Sequence, residues 1–316
     1  MVVEWENLID SSDMSPEGWA AMAKAVEDNY DDYDGFVILH GTDTMSYTSS
    51  ALSFMFSNLA KSVIITGAAI PFFEPHSDAR RNIVVSVLLA GSYNIPEVSL
   101  FSGTRLMRGT RCVKRITKSS GASDIHLPQI QTSAAGSFAS PKFPDLATID
   151  SCVQLSNILR LPPTGPFRAD KRMEGSLLVL RMVPGFANLK SMALSDVKGV
   201  VLVLYGSGNA PSNQPHFTDW LIKVREQDIP VIGVSQILRG AINLGSYLGG
   251  VHLFSLGVIS ARDMTVEAAV AKLSYLLGKG YDRDKVAVEF GRSLRGEISQ
   301  AGDADADGLQ YLKLDL

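Results

Sequence analysis

The 316-residue chain, 46% hydrophobic and 20% charged, has the composition of a globular enzyme and the length of two ordinary domains. A net charge of −4 with both signs spread along the chain excludes a polyanion partner. No apolar run reaches membrane length or forms a signal-peptide pattern, so a cytoplasmic protein without nucleic-acid or membrane partners is expected; two cysteines and five scattered histidines exclude a disulfide framework and a zinc-spaced cluster, and no cofactor is predicted.

The chain opens on MVVEWENLIDSSDM, where Val2, Val3, Leu8 and Ile9 suggest a strand or extended entry. Ser15 and Pro16 then start a helix, a capping hydroxyl before a proline at the first helical position, with Trp19, Met22, Ala23, Val26 and Tyr30 on one face. Asp10, Ser11, Ser12 and Asp13 form the loop before it and read, on their own, as a capping cluster. Phe36 to Leu39 is an apolar run without alternation, the pattern of a parallel strand covered on both faces. His40-Gly41-Thr42-Asp43-Thr44 breaks it, and Ala51, Leu52, Met55, Phe56 and Leu59 follow at helical spacing. The polar segment therefore sits where a strand's carboxyl end meets a helix, the place at which open parallel sheets bind ligands. Thr42 and Asp43 are placed to meet a small molecule, while the alternative is that Asp43 or Thr44 only caps the helix.

A β-branched run at 63–66 predicts the next strand, and Ser77-Asp78 is expected to cap a helix whose apolar positions are Ile83, Val84, Val87 and Leu88. Another strand is expected at 98–101, and the alternation predicts a parallel, doubly wound sheet. The basic segment 105–114, RLMRGTRCVK, reads as a solvated surface loop. A flexible loop rich in Ser, Ala and Gly follows at 115–136, and Pro162-Pro163-Thr164-Gly165-Pro166 with a charged run marks a linker. The domains expected are 1–140, a linker at 141–174, and 175–316 with a terminal tail from 302.

The second α/β unit is expected to be smaller and Rossmann-like, with strands at 177–180, 200–204 and 231–234 and helices near 188–194, at 218–227 and at 265–277. Gly206-x-Gly208 invites a dinucleotide reading, which fails because Pro211 occupies the third glycine position and no acidic ribose partner follows at the right distance.

Several motifs in order carry a resemblance: DSSDM at 10–14, HGTDTM at 40–45, SALSF, VIITGA, SDARRN, RGTRCVK at 108–114, YGSGNAP at 205–211, DMTVEA, KLSYLL and LRGE. Together they resemble the bacterial-type L-asparaginases, and within them the type I, cytosolic branch. The resemblance implies hydrolysis of L-asparagine to L-aspartate and ammonia by a threonine-based mechanism, on a two-domain α/β fold that forms homodimers or homotetramers. It assigns catalysis to Thr42, Asp43 and Lys114, with Lys118 a weaker candidate for the lysine. Asp10, Ser11 and Ser12 inherit the binding of the substrate's α-carboxylate, and Asp43 its α-ammonium. It also implies that 292–297 is the family's C-terminal helix and that 115–136 contains an insertion of roughly twenty residues.

Amide hydrolysis at neutral pH needs an activated nucleophile, a proton route and an oxyanion stabiliser. A Thr-Lys-Asp set serves where the lysine is partly desolvated and the carboxylate orients it. The family carries its primary nucleophile in a glycine-rich GGTI segment after a first strand, with a tyrosine on a mobile lid. No GGTI-like segment occurs in these 316 residues. The expectation is impaired turnover in this form and an unpaired strand edge, the alternative being a noncatalytic paralogue or splice form that binds an amino acid or co-assembles.

Overall fold

The structure, a computed structural model, describes residues 1–5, 8–115, 137–150, 152–156, 160, 162–185, 189 and 192–300. The expected insertion beyond residue 115, Lys118 and the tail from 302 lie outside the described residues, as do 188, 190 and 191 of the helix expected near 188–194, whose residues 192–194 are not helical. The chain divides into two compact units. One comprises Met1–Leu52, Phe56–Ala139 and Asp145–Ala169; the other Ser53–Met55, Ser140–Pro144 and Asp170–Leu316.

The first unit begins without a strand: Val2, Val3 and Leu8 are exposed and irregular. A short 3-10 turn at Ser11–Asp13 leads to α1 (Pro16–Asp28), β1 (Gly35–Leu39), α2 (Met45–Met55), β2 (Phe56–Ser57), β3 (Ser62–Thr66) and α3 (Ala79–Ser92). Then come β4 (Val98–Ser102), β5 (Arg105–Arg108), β6 (Val113–Lys114), β7 (Phe138–Ala139), β8 (Ala147–Ile149), β9 (Val153–Leu155) and β10 (Arg168–Ala169). Its main sheet runs β1-β3-β4-β5-β8-β9. Only β1, β3 and β4 are parallel; β5, β8 and β9 are antiparallel, so the sheet is mixed where the sequence predicts a parallel one. The change of direction follows from a tight turn between β4 and β5, in which Gly103 takes φ +66°, a conformation open to glycine.

Four other expectations change. The segment expected as linker supplies β8 and β9, because Leu146, Ala147 and Ile149 pack into the core with Leu106. Helix α2 stops at Met55 instead of running through Leu59: Phe56 and Ser57 turn to pair with β10, and Asn58 takes φ +56°. The basic segment is not a solvated loop, since Arg108 and Arg111 are buried and Glu97 accepts from Arg108 Nε at 2.5 Å and Nη2 at 3.2 Å. Helix α3 buries Ala79, Asn82, Ser86 and Leu89, while Val84, Val87 and Leu88 are 57%, 55% and 58% exposed, so the stripe expected to face the core faces outward.

The second unit holds β11 (Leu177–Arg181), β12 (Gly199–Leu204), α4 (Pro215–Glu226), β13 (Val231–Ser235), α5 (Leu248–Ser255), β14 (Val258–Ser260), α6 (Val266–Gly278) and α7 (Arg283–Phe290). Its strands are all parallel and follow one another in chain order. Strands β12 and β13 are wholly buried, as their unbroken apolar runs require. Segment 292–297 is not helical. Glu297 there turns its carboxylate onto the amides of Leu294 and Arg295, which a regular helix would commit elsewhere.

Candidate active site

The site grows from the carboxyl ends of β1 and β3. Strand pairing continues for one residue past β1, the His40 amide donating to the Thr66 carbonyl at 2.9 Å, and then the chain turns. The turn is packed too tightly for a side chain at two points. A Cβ on Gly67 would lie 2.1 Å from the His40 carbonyl oxygen, and one on Gly41 would lie 2.5 Å from Ser11 Oγ. The second contact brings the 10–14 loop against the 40–44 turn, and Thr44 Oγ1 adds a bond to the Ser11 carbonyl at 2.6 Å.

The capping alternative for this turn is not what the side chains do. Thr44 stands at the N-cap of α2 without a side-chain bond to the helix, its hydroxyl being committed to Ser11. Asp43 points elsewhere: Lys114 Nζ donates to Asp43 Oδ1 at 2.6 Å and to Thr42 Oγ1 at 2.8 Å. Lys114 reaches them from β6, whose pairing with β7 sets Lys114 opposite Phe138. Its side chain is 20% exposed, whereas that of Asp43 is 66% exposed, so the ammonium is largely covered by protein and the carboxylate remains open to a ligand.

The 10–14 loop divides its residues. Asp10 Oδ1 accepts from Ser12 N at 2.9 Å and from Ser12 Oγ at 2.8 Å, so these two satisfy one another as a local cap, and those bonds hold the Asp10 carboxyl below its ordinary range. Ser11, buried against Gly41, is the member of the loop that adjoins the Thr42-Asp43 turn.

Below the turn lies a hydrogen-bond chain whose protons can be assigned. Trp19 Nε1 donates to Thr48 Oγ1 at 2.9 Å, Thr48 lies 2.9 Å from His40 Nε2, and His40 Nδ1 lies 2.6 Å from the Gly41 carbonyl. A carbonyl only accepts, so Nδ1 carries the proton, and in the neutral ring Nε2 accepts from Thr48. Burial depresses its pKa, opposed in lesser degree by the bond to Gly41. The unfolded chain therefore takes up a proton as pH falls through about 6.5, before folded His40 does. Stability is expected to decline across the interval between that value and His40's lowered one. Urea unfolding from about pH 7.5 to about pH 5 should show the decline in the parent and a flatter profile in His40→Asn.

Among the described residues no group of three or more His, Cys, Asp or Glu is placed to hold a metal, and no helix is long and apolar enough to cross a membrane. Sequence reasoning missed Asp78 and Asn82, treated below, because a carboxylate before a helix reads as its cap.

The family model described as asparaginase, N-terminal, matches residues 1–158, and that of the glutaminase/asparaginase C-terminal domain matches residues 178–290. L-asparaginase 1 of Escherichia coli is 38% identical over 308 residues, 94% of this chain and 84% of that protein. The L-asparaginase of Dirofilaria immitis is 35% identical over 305 residues; the match covers 95% of this chain but 49% of that protein, so the chain spans about half its length. The crystal structure of L-asparaginase I from Vibrio cholerae superposes with a TM-score of 0.83 at 38% identity, covering 95% of this chain and 86% of that one.

Proposed function

Because the chain belongs to the asparaginase family, we propose that it hydrolyses the side-chain amide of L-asparagine to L-aspartate and ammonia, with Thr42, Asp43 and Lys114 as its catalytic set. The observation that carries this reading is the convergence of Thr42 Oγ1 and Asp43 Oδ1 on one lysine nitrogen. Lys114 as an ammonium donates to both and holds them in place. A substrate α-ammonium is received by the open Asp43 carboxylate, and Thr42 Oγ1, bonded to Lys114 Nζ, offers a path along which a proton passes between the reacting atoms and the lysine. Water supplies the attacking oxygen: it gives up a proton toward Thr42 and Lys114 as it bonds to the amide carbon, the carbon–nitrogen bond breaks, and the nitrogen leaves as ammonia with a proton returned by Lys114, leaving the side-chain carboxyl of L-aspartate. The α-carboxylate is assigned to the 10–14 loop, with Ser11 beside the turn and Asp10 bracing Ser12.

The cytoplasm is the compartment proposed, and homodimers or homotetramers the assembly; the outward apolar stripe on α3 supports the latter.

The test is ammonia release and L-aspartate binding measured on one preparation of the 316-residue polypeptide. Turnover is expected to be slow, since the attacking threonine of the GGTI segment is not among these residues, and to rise when a family-like strand with GGTI and the lid tyrosine is added upstream. Aspartate binding without ammonia from either form would favour the amino-acid-binding alternative. Neither signal from either form would overturn both readings.

A further inference from the structure

Asp78 has the sequence position of a helix cap and does not act as one. It stands at the N-cap of α3 without accepting a backbone amide of that helix, and Ser77 Oγ accepts the Ala79 amide instead, at 3.1 Å. The Asp78 carboxylate turns to the loop after β3, where Oδ1 accepts from Ala69 N and Ile70 N, both at 3.1 Å, and Oδ2 accepts from Ala69 N at 3.2 Å. Ser77 Oγ completes the clamp by donating to the Ile70 carbonyl at 2.8 Å.

One turn into α3, Asn82 is fully buried and makes three bonds whose directions fix its amide. Its nitrogen donates to the Gly67 carbonyl at 2.8 Å and to Asp78 Oδ2 at 3.2 Å, and its oxygen accepts from Gly103 N at 3.3 Å. The reverse orientation would set an NH2 against an N–H and an oxygen against two acceptors. Asn82 thereby cross-braces the residues that follow β3 and β4, on the edge of the sheet where the candidate site stands. Gly67, the first residue of the clamped loop, abuts the His40 carbonyl two residues before Thr42.

Building on the function proposed above, we propose that Asp78 and Asn82 are positioning residues for the amide-hydrolysing site, holding the 67–70 backbone as a rigid wall beside Thr42 that limits the length of amino-acid side chain accepted. The physical reason is discrimination by reach. Asparagine and glutamine differ by one methylene, a small difference that a yielding wall accommodates and a fixed backbone does not. Neutral groups alone would brace the loop weakly, whereas a carboxylate accepting two backbone amides makes charge-assisted bonds.

The experiment measures affinity for L-aspartate and for L-glutamate by calorimetry in the parent, Asp78→Ala, the milder Ser77→Ala and a control, Ser62→Ala. Ser62 ties the opposite end of β3 through bonds to the Tyr93 carbonyl and the Ile95 amide, both 2.9 Å, so its loss costs comparable bonds away from the site. In Asp78→Ala aspartate affinity is expected to fall about tenfold or more and the aspartate-to-glutamate ratio to narrow. Ser77→Ala should move both in the same direction by less, and Ser62→Ala should lower the unfolding midpoint while leaving affinity and ratio unchanged. In any form that turns over, the ratio of kcat/KM for asparagine to that for glutamine should narrow with the binding ratio. A parent that binds aspartate while Asp78→Ala and Ser77→Ala both keep its affinity and ratio within about twofold overturns the positioning role alone. A parent that binds neither ligand removes the function it rests on as well.

Discussion

Lys114→Met is expected to lower kcat for L-asparagine by about four orders of magnitude, measured against whichever parent turns it over, the 316-residue chain or one extended with GGTI. The size follows from position. Lys114 Nζ is bonded to both Thr42 Oγ1 and Asp43 Oδ1, so its removal takes away the proton relay and the strut between them together. Methionine keeps most of the stem's volume in a side chain that is 20% exposed, which leaves folding little affected. Asp43→Asn should separate from it in binding: the ammonium of aspartate loses a full charge partner, so affinity falls, whereas Lys114→Met leaves that carboxylate intact. A Lys114→Met enzyme with kcat within tenfold of its parent would remove the lysine from the proposed chemistry.

The second large effect is on stability. Lys272 and Glu297 have side chains at 0% exposure and lie 2.5 Å apart. The three ammonium protons have three acceptors, Glu297 Oε1 and the carbonyls of Phe290 and Arg292, which matches an ammonium's capacity. Burial pushes the Glu297 carboxyl upward, but the Lys272 charge and the amides of Leu294 and Arg295 outweigh it and hold the group below its ordinary range. Lys272→Met strands a carboxylate in the interior and is expected to cost about 3–5 kcal/mol in urea unfolding. Adding Glu297→Leu should recover part of that loss, because the uncompensated charge is gone; the two amides it accepted remain without it. A single substitution no worse than the double would count against the stranded charge as the source of the loss.

How much of this was legible from the chain depends on how local each signal is. The 35–55 segment announced its strand, turn and helix because periodicity changes within a few residues, and that change put Thr42 and Asp43 at a strand's carboxyl end while leaving the capping alternative open. Lys114 was not: nothing in a basic run marks one lysine, and its approach to Thr42 is made by pairing β6 with a strand 24 positions on, at Phe138. Only the resemblance singled it out. The burial of Arg108 and Arg111 was hidden because charge in sequence reads as solvation, and the carboxylate that receives Arg108 lies a strand earlier, at Glu97 on the connection between α3 and β4. The outward face of α3 was misread for a related reason. Val84, Val87 and Leu88 form the more apolar stripe, but Asn82 on the other face bonds the backbone of Gly67 and Gly103 past the strand ends, a demand periodicity does not contain. Asp78 shows the limit most plainly, since cap and clamp are the same residue at the same offset and differ only in which way the carboxylate turns.

Strand β1 stands at one end of its sheet and is hydrogen-bonded, among the described residues, along one side only. Its sequence, GFVIL, is that of an interior strand, and Leu39 is 61% exposed. Such an edge is a template on which another extended apolar segment can add, so the colloidal behaviour of the chain rests on what discourages addition. Immediately before it lies Asp31-Asp32-Tyr33-Asp34, with all three carboxylate residues exposed. Three like charges at the mouth of a sticky strand act as gatekeepers: an identical strand approaching in register brings its own three alongside. These aspartates need not stabilise the fold, yet replacing them with neutral residues is expected to promote association edge to edge through β1.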